Sequence, residues 1–300
     1  MESRESKISP ELVPPLDPAL LRLTEEENEF LHAVIKPQND EALKARILDI
    51  QKRAYEKYPY PCIRGFHFVN LMMILNAVYP RVLEAGKNRD TLFLDLGCCM
   101  GSDVRKLVYD GYPASQVLGC DLRPEFIQLG YELFGDTETC PIRFFTSDVF
   151  GLPTSVAEVR ATVTETPHPD VSAVTDLSQL RGALTHIYTG ALFHLFDEDN
   201  QRGLALRLAT LLRRTPGAVI FGRHQGLHEE GYINDHLGRD RYGHSEKSWP
   251  QLWRGVFTEI EGEGFTEKVV VQAELREQFK PEVFKTKVST YMLYWSVQIV

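Results

Sequence analysis

From Thr91 onward the chain alternates short apolar runs with helix-patterned stretches, and the first three runs each close on an aspartate. Leu92-Phe93-Leu94 ends in Asp95, Val117-Leu118-Gly119-Cys120 in Asp121, and Ile142 to Thr146 near Asp148. Between them, Val104, Leu107 and Val108 mark one helix that Gly111 is placed to end. Phe126, Leu129 and Leu133 mark a second, opened by Pro124 and stopped at Gly135. Leu184 to Tyr188 and Ala218 to Phe221 read as a fourth and fifth strand, separated by a Leu204–Leu212 helix. Strands that alternate with helices at this spacing predict a parallel, doubly wound, Rossmann-like α/β sheet. The carboxyl end differs. A Ser248/Gln251 capping box with Pro250 in the first turn opens a helix running to about Glu261. Lys268 to Val271 and Tyr291 to Val300 then read as two strands with no long helix between them.

The first ninety residues carry no strand signal. Residues 1–15, with Pro10, Pro14 and Pro15, read as a flexible arm, and residues 16–90 as a helical extension ahead of the sheet domain at 91–300. Thr24-Glu25-Glu26-Glu27 is a capping-box signature, followed by Phe30, Leu31, Val34 and Ile35 at helical spacing. A second helix bears Leu43, Ile47 and Ile50 and stops at Tyr58-Pro59-Tyr60-Pro61. A third is expected from roughly Phe66 to Glu84.

Charge and cysteines narrow the function. Thirty-three basic against forty-two acidic residues give a net charge of −9, which disfavours a nucleic-acid partner. No stretch has the length of apolar residues that spans a bilayer, and Met1-Glu2-Ser3-Arg4-Glu5 starts no signal peptide, so a cytoplasmic protein off the membrane is expected. The five cysteines (62, 98, 99, 120 and 140) include no CxxC pair and read as reduced, buried thiols. His224, His228, His236 and His244 lie at spacings that signal no metal site, so no metal is expected. Their Gly-, Asp- and Arg-rich segment reads as a polar lid.

The chemistry is carried by Leu94-Asp95-Leu96-Gly97-Cys98-Cys99-Met100-Gly101, a glycine-bearing turn from the first strand into its helix. It lacks the third glycine of a dinucleotide fingerprint and the Lys-Ser or Lys-Thr pair of a P-loop. Asp121 falls where a carboxylate accepts both ribose hydroxyls, and Asp148 where one meets an exocyclic adenine amine. The competing reading of each acid is a simple helix cap. As a set, three acids at successive strand ends suit an adenosine with a cationic amino-acid tail, which is S-adenosyl-L-methionine.

Residues 91–150 resemble class I S-adenosylmethionine-dependent methyltransferases. Tyr60-Pro61-Cys62-Ile63-Arg64, the Gly97–Gly101 turn and Phe193-His194-Leu195-Phe196 are similar to the fungal methyltransferases of meroterpenoid biosynthesis. The resemblance implies a seven-stranded sheet, a homodimer, and methyl-ester formation on a carboxylic acid of a polyketide–terpenoid intermediate. It also implies that Asp95, Gly97 and Gly101 border the methionine end of the cofactor, Asp121 and Leu122 the ribose and adenine, and Asp148 and Val149 the adenine edge. Cys99 departs from the superfamily, where a middle glycine is usual.

For the small-molecule substrate, Arg64 is the candidate carboxylate anchor, Arg223 at the end of the fifth strand is a further substrate-binding candidate, and Tyr60, Phe66 and Phe68 would face an apolar body. Arg64 has two alternative readings, as a contact to the cofactor's own carboxylate or as a surface side chain over aromatic rings. Tyr188, His194 and His224 fall at the ligand-binding edge and are the catalytic candidates, as positioning groups more than as strong bases; a core histidine is the alternative for His194. Rival readings keep the cofactor and move the acceptor to a hydroxyl, nitrogen or carbon with a histidine base, or make the chain a cofactor-binding protein that transfers no methyl group.

Overall fold

A computed structural model describes residues 10–88, 90–154, 169–233, 239–279 and 290–300. Among the described residues the strands are β1 (Phe93–Leu96), β2 (Val117–Asp121), β3 (Arg143–Thr146), β4 (His186–Gly190), β5 (Val219–Gly226), β6 (Gly231–Tyr232), β7 (Tyr242–Gly243), β8 (Val269–Phe279) and β9 (Thr290–Ile299). The helices are α1 (Glu25–Ile35), α2 (Asp40–Lys57), α3 (Pro61–Arg64), α4 (Tyr79–Ala85), α5 (Ser102–Tyr109), α6 (Pro124–Phe134), α7 (Glu198–Leu211) and α8 (Ser248–Glu261). Seven strands form one sheet in the order β3-β2-β1-β4-β5-β9-β8, parallel as far as β5, with β9 antiparallel to both of its neighbours, β5 and β8. The order reverses between β1 and β4, which opens a crevice at the carboxyl ends of the strands.

Period-two alternation assigns the two faces of the sheet. Leu94, Leu118, Ile187 and Ile220 pack with Leu204 and Leu208 of α7 and Trp253 and Phe257 of α8. Phe93, Val117, Tyr188 and Phe221 face Val104 and Leu107 of α5 and Val82 of α4. The amino-terminal helices join this body through α6: Phe30, Leu31, Ile47 and Ile50 share a core with Phe126, Leu129 and Leu133. Thr24 caps α1 as the capping box requires, its hydroxyl accepting from Glu27 N while the Glu27 carboxylate accepts from Thr24 N. Within the expected arm, the Pro14 carbonyl accepts from Tyr55 Oη.

Two local expectations are corrected. The stretch from Phe66 to Glu84 is not one helix; short 3-10 turns at His67–Val69 and Met73–Leu75 precede α4. Its backbone donors go elsewhere: Leu71 N–H bonds Glu27, and Met72 and Met73 N–H both bond Asp103. At α8 the cap is made by Ser245 Oγ, which accepts from Ser248 N, so Ser248 and Gln251 form no capping box. The segment read as a polar lid contains the β6–β7 pair.

Gly101 closes the glycine turn at φ +72°, and a Cβ there would lie 2.6 Å from the Phe144 ring. Gly101→Ala is therefore expected to destabilise the fold by about 2–4 kcal/mol, from left-handed strain plus the clash. Urea unfolding checks this, and an unchanged midpoint contradicts it.

Candidate active site

The crevice holds a cavity of about 480 Å³, within the size range of small-molecule sites. Its floor is the carboxyl edge of β1, β2, β4 and β5 and the turn after β3. Tyr60, His67, Phe68, Asn70 and Met72 wall it from the amino-terminal side, and Arg239 and Arg241 from the β6–β7 side.

One half is acidic. Asp95, Asp121 and Asp148 all line this single cavity, together with Gly97, Leu122 and Val149. The turn is shaped by Gly97 and Cys98 N–H, both donating to Cys120 O, and by left-handed backbone at Gly97, Cys99 and Gly101. Cys99 spends its N–H on Asp121 at 2.8 Å, and the other Asp121 oxygen accepts Arg123 N at 2.9 Å. Both oxygens are thus oriented by backbone donors at the cavity wall. Asp148 accepts Phe150 N at 2.9 Å, so it caps a turn and faces the cavity at once. Burial first, then the Asp103 and Asp121 charges, push the Asp95 carboxyl well above the usual carboxylate range. Asp103, in the first turn of α5, also lines the cavity. Burial lifts it to about 6, against the Met72 and Met73 N–H groups, Arg223 and Tyr188, which hold it down. Carboxylates crowded into a buried cleft call for a cationic ligand. A nucleoside with hydroxyls for Asp121, a flat base for Leu122 and Val149 and an ammonium tail for Asp95 fits these residues.

The other half is basic. Arg223 is 3% exposed, on β5 beside Gly190 of β4. Arg239 and Arg241 are equally enclosed. His194 follows β4, and its Nδ1 accepts Gln225 N at 3.0 Å. Arg241 donates through Nε to His194 O at 2.6 Å and through Nη2 to the Gln225 side chain. The guanidinium field registers on both cavity histidines. Burial and then Arg241, His224, Arg239 and Arg223 drive His194 well below its ordinary value, and burial with Arg223 takes His67 down to about 3. Tyr188, 1% exposed, separates the halves, paired across β1–β4 with Asp95.

Other sequence candidates lie away from this cavity. Gly101 caps α5 behind the turn. Arg64 donates from Nε to Pro15 O at 2.8 Å, and Phe66 is core, packed on Phe68. His224 is fully buried in an aromatic cluster, where its Nδ1 accepts Trp295 Nε1 at 2.9 Å. His228 packs on Tyr291 and His244 meets Ser248 Oγ, while His236 lies outside the described residues. Sequence reasoning missed His67, Asp103, Gln225, Arg239 and Arg241. Only Asp103 carried a signal, being two residues past Gly101 at a helix start that points into the crevice.

A family model described as meroterpenoid methyltransferase N-terminal domain matches residues 16–69. Among curated proteins, "O-methyltransferase phiE" of Fungal sp. (strain ATCC 74256) is 31% identical over 256 residues, covering 85% of this chain and 74% of that protein. "Asnovolin E/Chermesin D methyltransferase nvfJ" of Aspergillus novofumigatus (strain IBT 16806) is 33% identical over 236 residues, covering 78% and 77%. Among solved structures, the Burkholderia thailandensis 1,6-didemethyltoxoflavin-N1-methyltransferase is 13% identical at a TM-score of 0.47, covering 88% of this chain and 92% of that one.

Proposed function

Because this chain belongs to the fungal meroterpenoid methyltransferases and is an S-adenosyl-L-methionine-dependent enzyme of secondary metabolism acting on a small molecule, we propose that it forms a methyl ester on a carboxylic acid of a polyketide–terpenoid intermediate. The observation that carries the ester is the division of charge in the cavity. Acids stand at the ends of β1 and β2 and just after β3, whereas Arg223, Arg239 and Arg241 line the same cavity from β5 and the segment before β7.

When bound, S-adenosyl-L-methionine supplies an electrophilic methyl group for in-line displacement. Asp121 would hold the ribose hydroxyls, Leu122 and Val149 the base, Asp148 its amine, and Asp95 with Gly97 the methionine end. Gly101 supports them by setting the turn. Arg223 would orient the acceptor carboxylate, since a guanidinium matches two oxygens at once. Tyr60 and Phe68 would cover the apolar body and exclude water. A carboxylate arrives ionised and needs no base, which agrees with an acceptor wall made of donors. Arg64, Phe66 and His224 receive no substrate contact in this reading. Residues 16–90 serve as lid and substrate wall and 91–300 as the cofactor-binding half, in a cytoplasmic homodimer. Among the described residues no helix is long and apolar enough to cross a membrane.

A farnesylated dihydroxybenzoic acid tests the reading, because it offers a carboxylate and phenols in one molecule. The expected product is heavier by one methyl group and loses it to mild alkali, as an ester does. A methylated product that survives alkali contradicts the assignment.

A further inference from the structure

We propose that His194 is a tautomer-locked hydrogen-bond donor that seats the acceptor's anionic oxygen, and that Arg241 is the positioning residue that holds it there. This rests on the ester reading and deepens it by naming what selects an acid over a phenol.

The lock is geometric. His194 Nδ1 faces the Gln225 backbone N–H at 3.0 Å, and a backbone N–H only donates. Nδ1 therefore keeps its lone pair, and the proton of the neutral ring sits on Nε2. Moving that proton to Nδ1, or adding a second one, would set N–H against N–H. Arg241 braces both partners of this bond, reaching the His194 carbonyl with one nitrogen and the Gln225 side chain with another. His194 lines the cavity, and the Gln225 bond uses Nδ1, which leaves Nε2 as the ring nitrogen to serve a ligand there.

The charged and titratable groups around the ring favour the same form. Arg223 acts on it from the cavity face of β5, His224 from the aromatic cluster on the opposite face, and Arg239 and Arg241 from the segment before β7. Burial first, and then these neighbouring charges, keep the ring uncharged through the physiological range, so it offers an N–H and no lone pair to the acceptor. A phenol must lose its proton during transfer, and this ring has nowhere to take it. A carboxylate loses none; its oxygen forms the bond to carbon while the departing electron pair returns to sulfur. The ring thus sorts acceptors by whether they arrive ionised.

Two measurements decide the matter. In the first, ¹⁵N spectra of ring-labelled histidine in the S-adenosylhomocysteine-loaded enzyme are followed from about pH 6 to pH 8, with His194 assigned by its loss in His194→Gln. An Nε2-protonated ring that does not titrate is expected. An Nδ1-protonated ring, or titration in this window, overturns the proposal whether or not any acceptor is turned over. In the second, kcat/KM for the farnesylated dihydroxybenzoic acid is measured at saturating cofactor. His194→Gln, which offers both an amide acceptor and an N–H donor, should stay within about fivefold of the parent, while His194→Ala loses about 10- to 100-fold, the worth of one charge-assisted hydrogen bond. Arg241→Ala should fall between them, with a flat pH profile throughout. Equal failure of Gln and Ala beside a parent rate that drops at low pH marks a base and overturns the proposal, as does an Ala variant as active as the parent. An alkali-stable product refutes the ester reading itself, whereas an ester formed equally well by His194→Ala refutes only the role of this ring.

Discussion

Asp121→Asn is expected to weaken S-adenosylhomocysteine binding by about 100-fold, with calorimetry as the measurement. The effect is large because this carboxylate is tied in three directions. It accepts Cys99 N and Arg123 N, and the cofactor's ribose hydroxyls would complete its shell. Asparagine keeps one accepting oxygen and turns its amide group toward one of those N–H donors, so a donor meets a donor in a buried turn. The charge that strengthens the ribose bonds goes as well. Asp148→Asn, which removes one neutral-base contact and leaves the glycine turn alone, should cost tenfold or less. Equal and small losses at both positions would mean that the nucleoside lies elsewhere.

Arg223→Met is expected to lower kcat/KM for the acid acceptor by about 1,000-fold while S-adenosylhomocysteine affinity stays within about threefold. Methionine preserves apolar bulk at a position only 3% exposed, so the charge is what is removed. The loss should fall mainly on KM, because a salt bridge to the acceptor is made in the ground state as well as the transition state. The sign of a second readout is fixed. After burial, the Arg223 charge is what depresses His67, so its removal raises the His67 value from about 3 toward the ordinary 6.5 without restoring it, since burial remains the larger cause. A variant in which His67 rises and acid turnover is untouched would show that Arg223 shapes the field but does not hold the acceptor. Turnover is read above pH 7, where Asp103, at about 6, stays ionised, and His67 is followed through its own titration at lower pH.

The acidic half of the site was legible because topology does most of the placing. A parallel doubly wound sheet sends every strand's carboxyl end to one edge, so an aspartate closing each of three apolar runs must arrive at one crevice. The basic half was less so. Arg239 and Arg241 sit in a segment without apolar period, and what fixes them is tertiary: the β6–β7 pair and the bonds from Arg241 to His194 and Gln225. His224 was separable in principle. It follows Arg223 on β5, and alternation sends neighbours to opposite faces, so once Arg223 faces the cavity His224 must enter the tryptophan cluster. The Phe66–Glu84 stretch shows the opposite limit. Its apolar spacing matches a helix, but Glu27 and Asp103 capture the N–H groups that a helix would use, and no local pattern reports an acceptor so far along the chain. Cys99 adopts φ +52°, the left-handed backbone a glycine takes without strain, and its N–H bond to Asp121 shows what the strain secures.

The most direct test is a crystal structure of the enzyme with S-adenosylhomocysteine and the farnesylated dihydroxybenzoic acid bound together. The ribose is predicted on Asp121 and the acceptor carboxylate within about 2.7–3.2 Å of Arg223 and of His194 Nε2, one oxygen turned to the sulfur. A phenol oxygen facing the sulfur, with the carboxylate out in solvent, would contradict the account.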